Sequence, residues 1–342
     1  MLALLVATSV GMLAALAGTP ILIRSLQVRG IGQQIREDGP EGHVTKAGTP
    51  TMGGVTMLGA AAAGYLASHI HSGAVFTKAG ALVILVILGA GAVGLVDDWI
   101  KVRRQRSLGL DVATKMVGLV AVALVFAVLI TTQAKARTDL SFARSLHVGL
   151  PEVVYVVWAV LVVVGAANSV NLADGLDGLA AGGGIFGFAA FVFIGFWEFR
   201  HPRLYHVGPA LDLALVAAAM AGSCAGFLWW NAAPARIFMG DTGSLAIGAG
   251  LGALALSTNT HLLLPVIGGL FVIITMSVVI QVVAYKTLGR RVFRMAPVHH
   301  HFELLGWPET TVIVRFWILA GLCAALALGI FYADFVASGF KP

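Results

Sequence analysis

Carboxylates gather in this chain where apolar runs end. Asn171-Leu-Ala-Asp174-Gly-Leu-Asp177-Gly178 lies between two such runs, so a carboxamide and two carboxylates fall where a hydrophobic segment meets water. On a helix these three residues would lie within about 120° of one another, from the roughly 100° step per residue. Acidic groups at membrane depth are costly and so point to function. The plain alternative is a water-exposed polar loop. Val96-Asp97-Asp98-Trp99-Ile100-Lys101 ends another apolar run. Adjacent carboxylates repel, so they hold a divalent cation or a cationic partner, or their pKa values split, which suits metal binding or a general base. The alternative is a solvated helix end with Lys101, Arg103 and Arg104 as counter-ions.

Phe238-Met239-Gly240-Asp241-Thr242-Gly243-Ser244 opens a third run. Two glycines permit a tight turn, after which helix N–H groups would face the phosphates of a ligand. Asp241 beside them could hold Mg²⁺, a hard cation that takes carboxylate and phosphate oxygens; it could equally be a helix N-cap. Lys46-Ala-Gly-Thr49-Pro50-Thr51-Met52-Gly53-Gly54 joins a cation, hydroxyls and glycines, which suits an anion, but it is not a Walker A loop. Pro297-Val298-His299-His300-His301-Phe302-Glu303 carries three consecutive histidines. Three in a row cannot all reach one ion from a regular element, so hydrogen bonds to phosphate or sugar oxygens are the better use.

The elements that must position these residues are apolar. The 342 residues are 58% hydrophobic and 11% charged, against about 25% charged in soluble domains; the mean hydropathy is +0.92. The composition is that of an integral membrane protein built of helices. Ten apolar runs stand at about 2–23, 51–70, 79–96, 115–131, 152–168, 178–198, 210–230, 243–257, 262–285 and 312–337. The second is weak because it is rich in Gly and Ala, the eighth because it is short. The first is too long for a signal peptide and reads as a retained span. The expectation is an all-α, polytopic fold of about ten transmembrane helices forming one domain, 1–342, with no internal repeat. Cys224 and Cys323 lie in separate apolar runs and suggest core residues, not a disulfide.

Lys and Arg divide unevenly between alternate loops, fourteen on the side that holds Lys46, Lys101, Lys115, Arg236 and Arg290 and seven on the other. The richer side faces the cytoplasm by the positive-inside rule, which puts both termini outside. The chemically loaded stretches all belong to the cytoplasmic side. The net charge of +6 suits anionic headgroups or an anionic substrate.

Together these stretches resemble the polyprenyl-phosphate N-acetylhexosamine-1-phosphate transferase superfamily, from the first run to the last. Asp97-Asp98, Asn171-x-x-Asp174-x-x-Asp177 and Gly240-Asp-x-Gly-Ser244 carry the superfamily signal, while Lys46 to Gly54 and Ala296 to Glu303 point to its phospho-N-acetylmuramoyl-pentapeptide transferase branch. The resemblance implies transfer of phospho-N-acetylmuramoyl-pentapeptide from UDP to undecaprenyl phosphate, giving lipid I and UMP. It implies Mg²⁺, a bacterial cytoplasmic membrane setting with membrane lipid around the chain, a homodimer, and no nucleic-acid partner.

By the same resemblance Asp241 is a Mg²⁺ ligand, with Asn171 beside it. Asp98 deprotonates or positions the prenyl phosphate, with Asp97 as its electrostatic partner. Asn171, Asp174, Asp177, Asn231 and Phe238 bind the nucleotide. Lys46, Thr51, Lys101 and Lys115 hold phosphates, and His299, His300 and His301 line the sugar-diphosphate side. A sister transferase using UDP-N-acetylglucosamine is the near rival, and the histidine stretch argues against it. A secondary transporter is the rival from another class; it would place its carboxylates near the bilayer midplane in two matching halves, and no half-repeat is visible here.

Overall fold

The computed structural model describes residues 1–32, 48–73, 75–104 and 109–340. Lys46, and with it Arg36, Arg106 and Lys341 of the charge comparison, lies outside the described residues. Ten long helices run α1 (Leu2–Val28), α2 (Gly54–Ser72), α3 (Lys78–Arg104), α4 (Val112–Thr132), α5 (Glu152–Ala173), α6 (Leu179–Arg200), α8 (Ala210–Asn231), α9 (Gly240–Ser257), α11 (Gly269–Leu288) and α13 (Glu309–Ala337). Short helices α7 (Pro202–Tyr205), α10 (Leu264–Ile267) and α12 (Val298–Glu303) interrupt the connections. Each long helix falls on one expected apolar run.

Eight of the ten are long and apolar enough to cross a membrane, and the chain is a multi-pass membrane protein on that ground; α2 and α9 are the two that fall short. In α9 a Gly- and Ala-rich composition goes with close packing. Helix α9 packs against α3, α5, α2 and α6, and from Thr242 to Ser257 every residue is buried. A helix surrounded by helices needs small residues for close packing more than it needs lipid-facing bulk. Its 18 residues reach about 27 Å at the helical rise, close to the roughly 30 Å of a bilayer core.

The all-helix expectation needs one correction. Strands β1 (Asp139–Ser141) and β2 (Ser145–Gly149) pair antiparallel, with Asp139 opposite Gly149. Ser145 Oγ donates to Asp139 Oδ2 at 2.8 Å, and the Arg144 guanidinium clasps both Asp334 oxygens at the end of α13. His261 braces the hairpin from the α9–α10 connection, with its Nε2 accepting the Ser141 N–H at 3.2 Å.

The hairpin end of the bundle also holds a buried carboxylate. Asp212 at the start of α8 accepts from the Thr77 N–H at 2.7 Å and from its hydroxyl at 2.6 Å. His69 Nε2 stands 3.0 Å from its other oxygen, and that imidazole stacks on Phe76 with ring centroids 3.8 Å apart. One carboxylate thereby fastens α2, α3 and α8 together.

Candidate active site

The opposite end of α3 is pressed onto the first turn of α9. A Cβ at Gly94 would come within 2.2 Å of the Asp241 carbonyl oxygen, so the two backbones touch only because Gly94 has no side chain. Gly240 turns the chain into α9 at φ 73. This contact carries Asp97 and Asp98, one turn further along α3, to Asp241.

Asp98 is fully engaged there. Its Oδ1 accepts the Asp241 N–H at 3.0 Å, and its Oδ2 accepts the Thr242 N–H at 3.0 Å and hydroxyl at 2.7 Å. The N-terminus of α9 is thus capped by a carboxylate from another helix, which suits the positive end of the helix dipole. Of the N–H groups expected to face a ligand phosphate, those of Asp241 and Thr242 are held by Asp98 instead. Nor is Asp241 an N-cap, since Met239 holds that position without a side-chain cap. Asp97 diverges from its neighbour. Its Oδ1 accepts the Leu110 N–H at 2.8 Å, and its Oδ2 lies 2.6 Å from Lys101 Nζ.

Asp241 is the hub. Lys101 and Lys115 reach its Oδ2 at 2.9 and 2.6 Å, and the Asn171 amide nitrogen donates to its Oδ1 at 2.7 Å and to Ser244 Oγ at 2.9 Å. One oxygen from each of Asp97, Asp98 and Asp241 lies within 4.8 Å of the others. Three carboxylates against two ammoniums leave a negative excess, and convergent oxygen donors of this kind suit a hard divalent cation. Asn171 presents nitrogen to Asp241; turning its amide over would present the oxygen that a metal ligand needs.

The stretch after Asn171 is not one helix face. Helix α5 stops at Ala173, and Asp174 is its C-cap. Surrounding protein first, and then the carboxylates of Asp241, Asp98 and Asp177, push the half-buried Asp174 carboxyl up to about 8. Asp177 is buried; its Oδ2 accepts the Ala235 N–H at 2.9 Å, and its own N–H donates to Glu309 Oε1 at 3.1 Å. It therefore ties the turn to the loop before Phe238 and to the head of α13.

Thr51 and Phe238 meet on a backbone strap. Phe238 N–H donates to the Pro50 carbonyl at 2.8 Å, and Gly53 N–H donates to the Phe238 carbonyl at 2.9 Å. Thr51 is buried in that strap and Phe238 is half-exposed. Asn231 donates its amide nitrogen to the Ile237 carbonyl at 2.9 Å, while its amide oxygen has no hydrogen-bond partner among the described residues.

The three histidines on α12 go three ways. His299 is fully buried, His300 Nδ1 meets Glu303 Oε2 at 2.6 Å, and His301 Nδ1 accepts the Arg294 N–H at 3.1 Å. They do not converge on one ion. Thr242, Ser244, Glu303 and Glu309 are the partners that residue-by-residue reading missed. The first three lie inside quoted motifs, whereas Glu309 carries no signal in the sequence.

Comparison with known proteins identifies the family of the chain that carries this cluster. The family model for glycosyl transferase family 4 matches residues 80–259, the segment that contains Asp97, Asp98, Asn171 and Asp241. The phospho-N-acetylmuramoyl-pentapeptide-transferase of Frankia casuarinae is 49% identical, with 98% of each chain covered. That of Frankia alni is 50% identical, again over 98% of each chain, and that of Streptomyces griseus is 47% identical over 98% of this chain and 99% of the relative. The chain belongs to the phospho-N-acetylmuramoyl-pentapeptide-transferase family. In this chain Asp241 gathers Lys101, Lys115 and Asn171, with Asp97 and Asp98 beside it, into one cluster.

Proposed function

We propose that this chain transfers phospho-N-acetylmuramoyl-pentapeptide from its UDP carrier to undecaprenyl phosphate, yielding undecaprenyl-diphospho-N-acetylmuramoyl-pentapeptide (lipid I) and UMP for peptidoglycan synthesis. The observation that carries the reading is an oxygen-rich, lysine-flanked site at the ends of apolar helices, in a chain about half identical along its length to transferases of that name. A nucleotide arriving from water and a lipid phosphate at headgroup depth can both reach such a place.

The bond exchange is direct. An oxygen of the lipid phosphate attacks the phosphorus that bears the sugar, the bond between the two donor phosphates breaks, and UMP leaves with the electron pair. One diphosphate linkage replaces another, so no further energy source is needed. The lipid phosphate is already ionised, which removes the need for a covalent aspartyl relay. Lys101 and Lys115, held in place by Asp241, supply positive charge for the phosphates. Asn231, whose amide oxygen is left over, offers an acceptor to a ring N–H, and Phe238 a stacking face. Asn171, Asp174 and Asp177 shape the nucleotide end and the histidines the sugar end, with Thr51 and Lys46 as phosphate-binding residues.

Asp241, with Asp97 and Asp98 beside it and Asn171 after an amide turn, would hold Mg²⁺. The hard oxygen set fits that ion, and its chemistry there would be to neutralise diphosphate charge.

The same reading makes all ten long helices spans of a bacterial cytoplasmic membrane, in a single domain 1–342, with the site on the cytoplasmic face, both termini outside, and two copies per assembly. The test of function is donor choice by purified protein: UMP release from UDP-N-acetylmuramoyl-pentapeptide but not from UDP-N-acetylglucosamine. Equal rates with both would place the chain in the sister branch. Cysteine labelling at Arg103 in intact cells tests the orientation; modification by an impermeant reagent from outside would reverse it.

A further inference from the structure

Helix α12 lies against the Asn171–Gly178 turn at Gly175. A Cβ there would stand 2.5 Å from His299 Nε2 and 3.1 Å from His300 Nε2, so the two rings approach the backbone where a side chain is missing. The other ring nitrogen of His300, Nδ1, lies 2.6 Å from Glu303 Oε2. The two residues are i and i+3 on α12, with side chains only 13% and 12% exposed, which is the spacing at which helical neighbours meet. An ionised carboxylate only accepts hydrogen bonds, so the hydrogen in this contact is on His300 Nδ1. The orientation of an imidazole, and the tautomer it adopts, follow from the bond made by its second nitrogen. His299 is enclosed and His301 is turned to the Arg294 N–H. Of the three, His300 alone combines partial exposure, a carboxylate partner and a nitrogen directed at the turn.

We propose that Glu303 is a positioning residue for the transfer reaction: it keeps the His300 hydrogen on Nδ1, which leaves Nε2 an acceptor, and aims Nε2 at the Gly175 turn, where Nε2 accepts a hydrogen bond from a sugar hydroxyl of the bound donor. The proposal rests on the reading that this turn takes the nucleotide-sugar end of the donor. It assigns the acidic residue of the histidine stretch a task through His300, without substrate contact of its own.

The experiment uses the full chain, purified in nanodiscs, with Glu303→Ala, Glu303→Gln, His300→Ala and the Glu303→Ala/His300→Ala double variant. Glu303→Ala lowers kcat about tenfold, the lower end of what loss of an orienting partner costs, and thermal melting stays unchanged. Glu303→Gln, whose amide oxygen still accepts, stays within about threefold of the parent. The double variant is no slower than His300→Ala, the non-additivity expected when one residue acts through the other. Nitrogen-15 spectra of substrate-free protein show the His300 hydrogen on Nδ1 in the parent and a loss of that preference in Glu303→Ala. Additive losses in the double variant, or an unaltered tautomer in Glu303→Ala, overturn the proposal. If the parent releases no UMP, the functional reading fails instead, and the nitrogen-15 comparison still decides whether Glu303 orients His300.

Discussion

Asp212 and Asp241 are both largely enclosed carboxylates at the heads of neighbouring helices, and they are used in opposite ways. At Asp212 one oxygen takes the Thr77 N–H and hydroxyl and the other faces His69. Among the described residues no group of three His, Cys, Asp or Glu side chains within 4.8 Å of one another forms around it. At Asp241 the partners are two ammoniums and an amide, and two more carboxylates crowd within 4.8 Å. The two ends are about 26 Å apart along α3, from the helical rise between Gly80 and Asp97. A buried acid saturated by donors is a fastener. A group of acids with more negative charge than its lysines offset is strained by like-charge repulsion, and it is relieved by a cation or by substrate binding that brings one.

The sharpest way to break this comparison is to neutralise each hub. Asp241→Asn removes charge from the centre of the cluster and should lower activity about 10²-fold or more, the scale of losing an electrostatic group that acts in the transition state. Its melting temperature should hold, because its partners are charged groups that gain freedom. A loss of folding with activity per folded molecule intact would make Asp241 a fastener too.

Asp98 lies between the two types. It belongs to the acidic group but spends both oxygens on α9 donors. Asp98→Asn places an NH₂ against donors, so both readouts should fall: activity by about tenfold, and stability by about 1–3 kcal/mol, the cost of unsatisfied buried donors. Normal melting with low activity would return Asp98 to the role of a general base.

Asp212→Ala should do the reverse of Asp241→Asn. It strands the Thr77 donors and should cost about 1–3 kcal/mol of stability, while UMP release below the melting range stays within about twofold. A large drop in kcat in folded protein would tie the hairpin end to the chemistry.

The last comparison is read in pH. Asp174 has its folded-state pKa raised to about 8, so between the ordinary carboxylate range near 4 and about 8 the folded chain holds a proton that the unfolded chain has lost. Stability therefore declines with rising pH across that window and levels off above it. Asp174→Asn should lack this part of the decline, as read from melting curves at pH 5 to 9. Parallel curves for parent and variant would remove Asp174 from the like-charge group.

The elements were legible because each long helix carries its own apolar run, and the site was legible because Asp97, Asp98, Asn171 and Asp241 stand out against those runs. What the sequence left open was pairing across helices. Nothing local to Asp98 shows that Thr242, 144 residues away, fills its oxygens, or that Glu309 holds the Asp177 backbone. The Asn171–Asp177 spacing suggested a helical face, but the chain leaves the helix at Ala173 and turns through Gly175 and Gly178. The hairpin was missed because strands of three and five residues are too short for an alternation to register.

The Asp241 cluster is the proposed place of phosphoryl transfer. Its most direct test is UMP release from UDP-N-acetylmuramoyl-pentapeptide and undecaprenyl phosphate, titrated with Mg²⁺, for the purified parent, Asp241→Asn and Asp212→Asn. Mg²⁺-dependent release is expected from the parent and from Asp212→Asn, and a loss of about 10²-fold in Asp241→Asn with its fold intact. Parent-like, Mg²⁺-dependent turnover by folded Asp241→Asn would contradict it.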